Sequence, residues 1–245
     1  MNLDLTDVET RKLLTEWAKI AGGVVVFLIG LCQYRKTQKW KRREFIAAQM
    51  KEFEADRKIQ LAMTMLDWNE RKLYFPSEAG DKPIALKIDE AILCSALLPH
   101  EWTSYSEDEA KIRDCFDHFL DMLVRLWNFV EAGLISVDEL RPYMDYWIEL
   151  VSGQKPDWHT PEFFALLLNH IQKYGFLRAA KLIRSFGFNE QPSKEVLAEA
   201  IRQTVEIREK SIWRTSADQG IPLKQPYADP CAGAAEKAPG AGPGI

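Results

Sequence analysis

Thirteen consecutive residues, Ile20-Ala-Gly-Gly-Val-Val-Val-Phe-Leu-Ile-Gly-Leu-Cys32, carry no charge, and just beyond them Arg35-Lys-Thr-Gln-Lys-Trp-Lys-Arg-Arg43 carries six cations and no acid. A run this apolar has to leave water, either in a protein core or in a bilayer. By itself it is too short for a hydrocarbon layer of about 30 Å, since a helix rises only about 1.5 Å per residue. Widened to Trp17–Tyr34 it becomes 18 residues with one charge, Lys19, close enough to an end for its stem to snorkel. Trp17 and Tyr34 then fall at the two headgroup levels, where amphipathic rings prefer to sit.

A cleaved signal peptide asks for a basic leader and a small-x-small site. Here Asp4, Asp7, Glu9 and Glu16 outnumber Arg11 and Lys12 before the run, and Leu31 rather than a small residue precedes Cys32, which disfavours a lipoprotein signal as well. The six cations are read as a cytoplasmic collar under the positive-inside rule. The expected organisation is a short extracytoplasmic segment 1–16, a transmembrane helix 17–34, a basic collar 35–43, a cytosolic helical domain 44–213 and a disordered Pro/Gly/Ala tail 214–245. The competing reading is a buried or interfacial helix of a soluble protein.

Charge partition sharpens that picture. The chain carries −4 in all; residues 1–16 hold −2, Lys19 +1 and the collar +6, which leaves −9 for Glu44 onward. An acidic body with its basic excess confined to one stretch argues against nucleic-acid binding, because phosphates need a cationic face. Anionic lipid headgroups are the expected contact of Trp17, Tyr34, Arg35, Lys36, Lys39, Lys41, Arg42 and Arg43. Cys32, Cys94, Cys115 and Cys231 are far apart and form neither a zinc knuckle nor a disulfide framework. Cys94 and Cys115 read as small apolar core residues.

Along the chain, Thr6-Asp-Val-Glu9 is a capping box from which a helix runs through the anchor without a proline. Phe45, Ile46, Met50 and Phe53, then Ile59, Ala62, Met63 and Leu66, recur at helical spacing. Residues 71–88 hold two short alternating stretches around Ser77-Glu-Ala-Gly-Asp-Lys-Pro83, the pattern of a β-hairpin. A short helix 89–98 follows. Ser106-Glu-Asp-Glu109 opens a helix with the stripe Ile112, Phe116, Phe119, Leu123, Trp127 and Val130, closed by Gly133 with Leu134 as its hydrophobic clasp. Ser136-Val-Asp-Glu139 opens the next, closed by Gly153; Thr160-Pro161 opens another, closed by Gly175; a short helix ends at Gly187, and Ser193 starts a last one ending near Trp213. The fold class is therefore all-α, an antiparallel helical bundle behind a transmembrane helix.

Few residues suggest chemistry. Asp114, His118 and Asp121 lie three and four apart on one helix and would converge on a divalent cation or act as an acid/base pair. They lie opposite the apolar stripe, however, and a solvated face accounts for them. His100, His159 and His170 are dispersed, and no G-x-S-x-G, P-loop or G-x-G-x-x-G is present. Nothing calls for a cofactor or a resident metal. Tyr143, Tyr146, Trp147, Trp158, Phe163 and Phe164 are read as core, with a partner-binding patch as the functional alternative. Arg178, Lys181 and Arg184 share one helix side and are read as a solvated face.

The order of a short span, Gln38-Lys-Trp-Lys-Arg-Arg-Glu-Phe45, Met65-Leu-Asp-Trp68 and Phe129-Val-Glu-Ala-Gly-Leu-Ile-Ser-Val-Asp-Glu-Leu140 followed by Tyr146-Trp147 resembles a bacterial family of membrane-anchored helical proteins of unknown function, over residues 17–152. The resemblance implies a helical cytosolic domain at a bacterial inner membrane and transfers no catalytic residue. The expected role is a protein-interaction or scaffold module, binding another protein or a second copy of itself. A membrane-tethered hydrolase or metal-dependent enzyme and a membrane-perturbing effector of stress or phage defence are the alternatives.

Overall fold

The computed structural model describes residues 8–68, 70–76, 82–154, 158–188 and 191–219, which form eight helices and one two-stranded sheet. Helix α1 (Val8–Ala55) is a single rod of 48 residues. None of the described side chains of its first half is buried: the apolar ones from Leu14 to Leu31 are exposed, and this is one helix long and apolar enough to cross a membrane. Thr6 and Asp7 of the expected capping box lie outside the described residues. The rod joins the core only where Ile46, Met50 and Phe53 recur at helical spacing, and all three are buried.

Asp56 ends the rod. Its backbone is extended, and its carboxylate accepts from the Lys58 N–H at 2.8 Å and the Ile59 N–H at 3.1 Å, so one residue stops α1 and caps α2 (Arg57–Asp67). The expected hairpin forms from β1 (Arg71–Phe75) and β2 (Ile84–Ile88), antiparallel with Leu73 opposite Leu86. Leu73, Phe75, Leu86 and Ile88 point inward and the alternating residues outward. Residues 77–81 of the expected turn lie outside the described set.

Helices α3 (Glu90–Leu97), α4 (Glu107–Glu131), α5 (Val137–Val151), α6 (Pro161–Lys173), α7 (Leu177–Ser185) and α8 (Lys194–Gln219) complete the body. The centre is α4, whose Ile112, Phe116, Phe119 and Leu123 are fully buried while Trp127 and Val130 are partly covered. It packs on α2, α3 and α7, and α6 packs on α3 and α8. Phe45 meets Phe129 at 5.0 Å between ring centroids and Phe53 meets Phe119 at 5.9 Å, so the end of α1 runs antiparallel to α4. Arg125 on α4 pins it further through Glu52 at 2.6 Å.

Both serine capping boxes form, and Thr160 caps α6 with Pro161 in its first turn. Gly133, Gly153, Gly175 and Gly187 all adopt positive φ, as helix-closing glycines do. Two details depart from expectation. Leu134 is exposed and Ile135 is buried instead, so the chain turns one residue further before it finds the core. The last helix continues past Trp213 to Gln219.

Candidate interaction surface

The eight residues assigned to lipid contact, Trp17, Tyr34, Arg35, Lys36, Lys39, Lys41, Arg42 and Arg43, are all exposed along the free part of α1. Lys19 is satisfied within the rod by Glu16 at 2.7 Å. Among the described residues, no carboxylate forms an ion pair with any of the six collar cations, although the body they adjoin is acidic.

The three candidate catalytic residues remain on the outer side of α4. Asp114 pairs with Lys58 of α2 at 2.6 Å, and the His118 ring donates from Nδ1 to the Asp114 backbone carbonyl at 3.0 Å. Asp121 is exposed one turn further along. Among the described residues, no three His, Cys, Asp or Glu side chains come together as a metal would require.

Asp117, in the middle of that set, turns to the α6 side, where its carboxylate accepts from His170 Nε2 at 2.6 Å. His170 is fully buried, and its Nδ1 has no hydrogen-bond partner. Burial holds its pKa below the usual imidazole value against the opposing pull of Asp117. Next to it, Arg113 lies over the rings of Tyr174 at 4.1 Å and Tyr105 at 4.8 Å, and donates to the Leu98 carbonyl at 3.3 Å at the end of α3. His159 is likewise buried, donating from Nε2 to the Met65 carbonyl at 2.8 Å and stacked on Phe163 at 4.3 Å. Burial lowers its pKa too.

A second internal network ties the last helix to the first turn of α4. Arg208 donates to Glu109 at 2.6 Å and to the Ser104 carbonyl at 2.5 Å, while Ser95 also donates to Glu109. Burial pushes the Glu109 carboxyl up, but Ser95, the Ser106 N–H and Arg208 together hold it below the usual carboxylate value. Glu109 is thus buried and closed in by its own partners. Cys94 and Cys115 are buried, each thiol pushed up to about 12 by that burial, so neither is poised as a nucleophile.

Open surface chemistry gathers instead around α2, β1 and α5. Phe163 and Phe164 are core, but Tyr143, Tyr146 and Trp158 are between 41% and 47% exposed, and Trp68 joins them at 48%. Trp68 stacks on Trp158 at 6.2 Å, and the Arg71 guanidinium covers Trp68 at 4.9 Å. Tyr146 donates to Asp67, which pushes its own pKa up to about 12. Two clefts of about 300 and 280 Å³ meet here, one reaching from α2 to Trp68 and Trp147, the other lying between α2 and β1, with Arg57 and Thr64 in the walls of both. The sequence pattern named Trp158 and the tyrosines but not Trp68, whose stack on Trp158 is a contact across a large separation in the chain, nor Arg71, three residues further along the chain from Trp68.

No family model matches this chain, and neither a curated protein nor a solved structure is similar to it.

Proposed function

We propose that the protein is a single-pass membrane-anchored interaction module, held at a bacterial inner membrane with its N-terminus outside and its helical body in the cytoplasm. The observation that carries this reading is the rod itself: an uncovered apolar stretch runs without a break into six cations that have no acidic partner among the described residues. An apolar face of that size left in water would be unfavourable by about 25 cal/mol for each square ångström exposed. A bilayer removes the penalty, and anionic headgroups supply the counter-charge that the body withholds. The orientation follows from the cationic side remaining on the cytoplasmic face.

The interaction role rests on the uncovered aromatic side chains beside an open groove, since Trp, Tyr and Arg are the usual anchors of protein contacts. Protease added to intact spheroplasts is expected to spare a C-terminal tag and to remove it only after lysis, with the protein remaining in the pellet after alkaline carbonate extraction. Digestion of the tag from outside would overturn the orientation, and release by carbonate would overturn the anchor.

A further inference from the structure

We propose that the groove between α2 and β1 takes an extended acidic peptide of a partner protein, added as a third strand along the free edge of β1; this rests on the reading of the body as an interaction module. The sheet has two strands, so β1 has β2 on one side and, among the described residues, no strand on the other. On that open side a cleft of about 280 Å³ separates it from α2, walled by Arg57, Leu61 and Thr64 on the helix and Arg71, Lys72 and Tyr74 on the strand. Arg57 reaches across to the Tyr74 carbonyl at 3.4 Å, a long bond at the limit of hydrogen-bonding range. An edge left in this state is a template for strand addition.

Charge selects the occupant. The body is acidic overall, yet Arg57, Arg71 and Lys72 border the groove without an ion pair to any described carboxylate. Asp67 and Glu70 are already engaged, Asp67 by Tyr146 and Glu70 by Lys87 at 2.7 Å. Lys72 stands directly opposite Lys87 in the hairpin register, and of the two only Lys87 has a carboxylate partner among the described residues, Glu70. Trp68, 48% exposed beside Arg71 and Trp158, gives an apolar side chain of the same peptide an aromatic contact at the end of the strand. Lipid headgroups are not this ligand: α1 advances about 30 Å from Tyr34 to the break before Arg57, several Debye lengths along the rod.

The test uses the full chain in detergent micelles and a fluorescein-labelled heptapeptide pool with Glu at alternate positions and mixed Val, Leu, Phe and Tyr between, read by anisotropy. Saturable binding is expected, weakened about tenfold or more by Arg71→Glu with Lys72→Glu and separately by Arg57→Glu on the opposite wall. A pool with Lys in place of Glu is expected not to bind, and N-methylation of alternate peptide amides is expected to abolish binding of the acidic pool. No saturation, equal binding of the two pools, or indifference to both charge reversals overturns the proposal, and binding that survives N-methylation overturns the strand geometry. Circular dichroism of each variant confirms that the domain is folded. The same variants are expected to pellet with membranes like the parent chain, so failure of the groove is distinguishable from failure of the anchor.

Discussion

His159 and His170 each carry a proton on Nε2, donated to Met65 and Asp117, and each leaves Nδ1 buried without a partner. Charging either ring would strand a cation in the core, and this burial outweighs the opposing pull of Asp117 on His170 and of Glu90, 3.8 Å from Nδ1 of His159, so both pKa values are depressed. The sign follows: the unfolded chain, with imidazoles near about 6.5, binds more protons than the folded one, and stability falls as pH drops below that value. Urea unfolding is expected to show a decreasing midpoint between pH 7 and pH 5, with a shallower slope in His159→Phe and in His170→Phe. Glu109 behaves oppositely to a free carboxylate in a core. Its depressed pKa means that its stabilisation is present above the ordinary carboxylate range and is lost as pH falls through the folded value. Arg208→Ala is expected to cost about 2–4 kcal/mol by leaving that carboxylate buried, and adding Glu109→Gln is expected to recover part of the loss. None of these pairings is legible from spacing. Asp117 and His170, or Glu109 and Arg208, sit on different helices, and the helical periodicity that located Asp114, His118 and Asp121 sees only neighbours on its own helix.

At the scale of elements the sequence was far more transparent, because caps are local. Ser106, Ser136 and Thr160 each need only the next three residues to satisfy a helix N-terminus, and each does. The helix-closing glycines are equally local but not equivalent. At Gly133 a Cβ would meet nothing, whereas at Gly153 it would stand 2.9 Å from the Phe164 ring. Both have left-handed backbones, so Gly133→Ala is expected to cost about 1 kcal/mol and Gly153→Ala roughly 2–3 kcal/mol, measured by chemical denaturation. The misjudged clasp at Leu134 has the same origin in reverse: which of two adjacent apolar residues turns inward depends on where the neighbouring helices lie. The hairpin was readable in its alternation, while the groove beside it was not, since its walls come from α2 and β1 and its floor from tertiary packing.

For the whole molecule the asymmetry of charge is the governing quantity. Replacing the six collar cations by Gln and adding Lys residues near the N-terminus is expected to invert the protein in the membrane, as reported by labelling of single engineered cysteines at each end with a membrane-impermeant maleimide. The structure adds mechanical content to that layout. Because no proline, glycine pair or loop interrupts α1 between Tyr34 and Phe45, the proposed anchor would leave the body no swivel at the membrane surface. The bearing of the α2–β1 groove around the membrane normal is then set by helical phase. Inserting one alanine between those residues turns the groove by about 100° while lifting it only about 1.5 Å, and inserting seven brings it back to within about 20° of its starting azimuth but about 10.5 Å further along the rod. A partner that is itself fixed in the membrane would lose contact with either insertion, the first by rotation and the second by height; a partner diffusing in the cytoplasm would accept both.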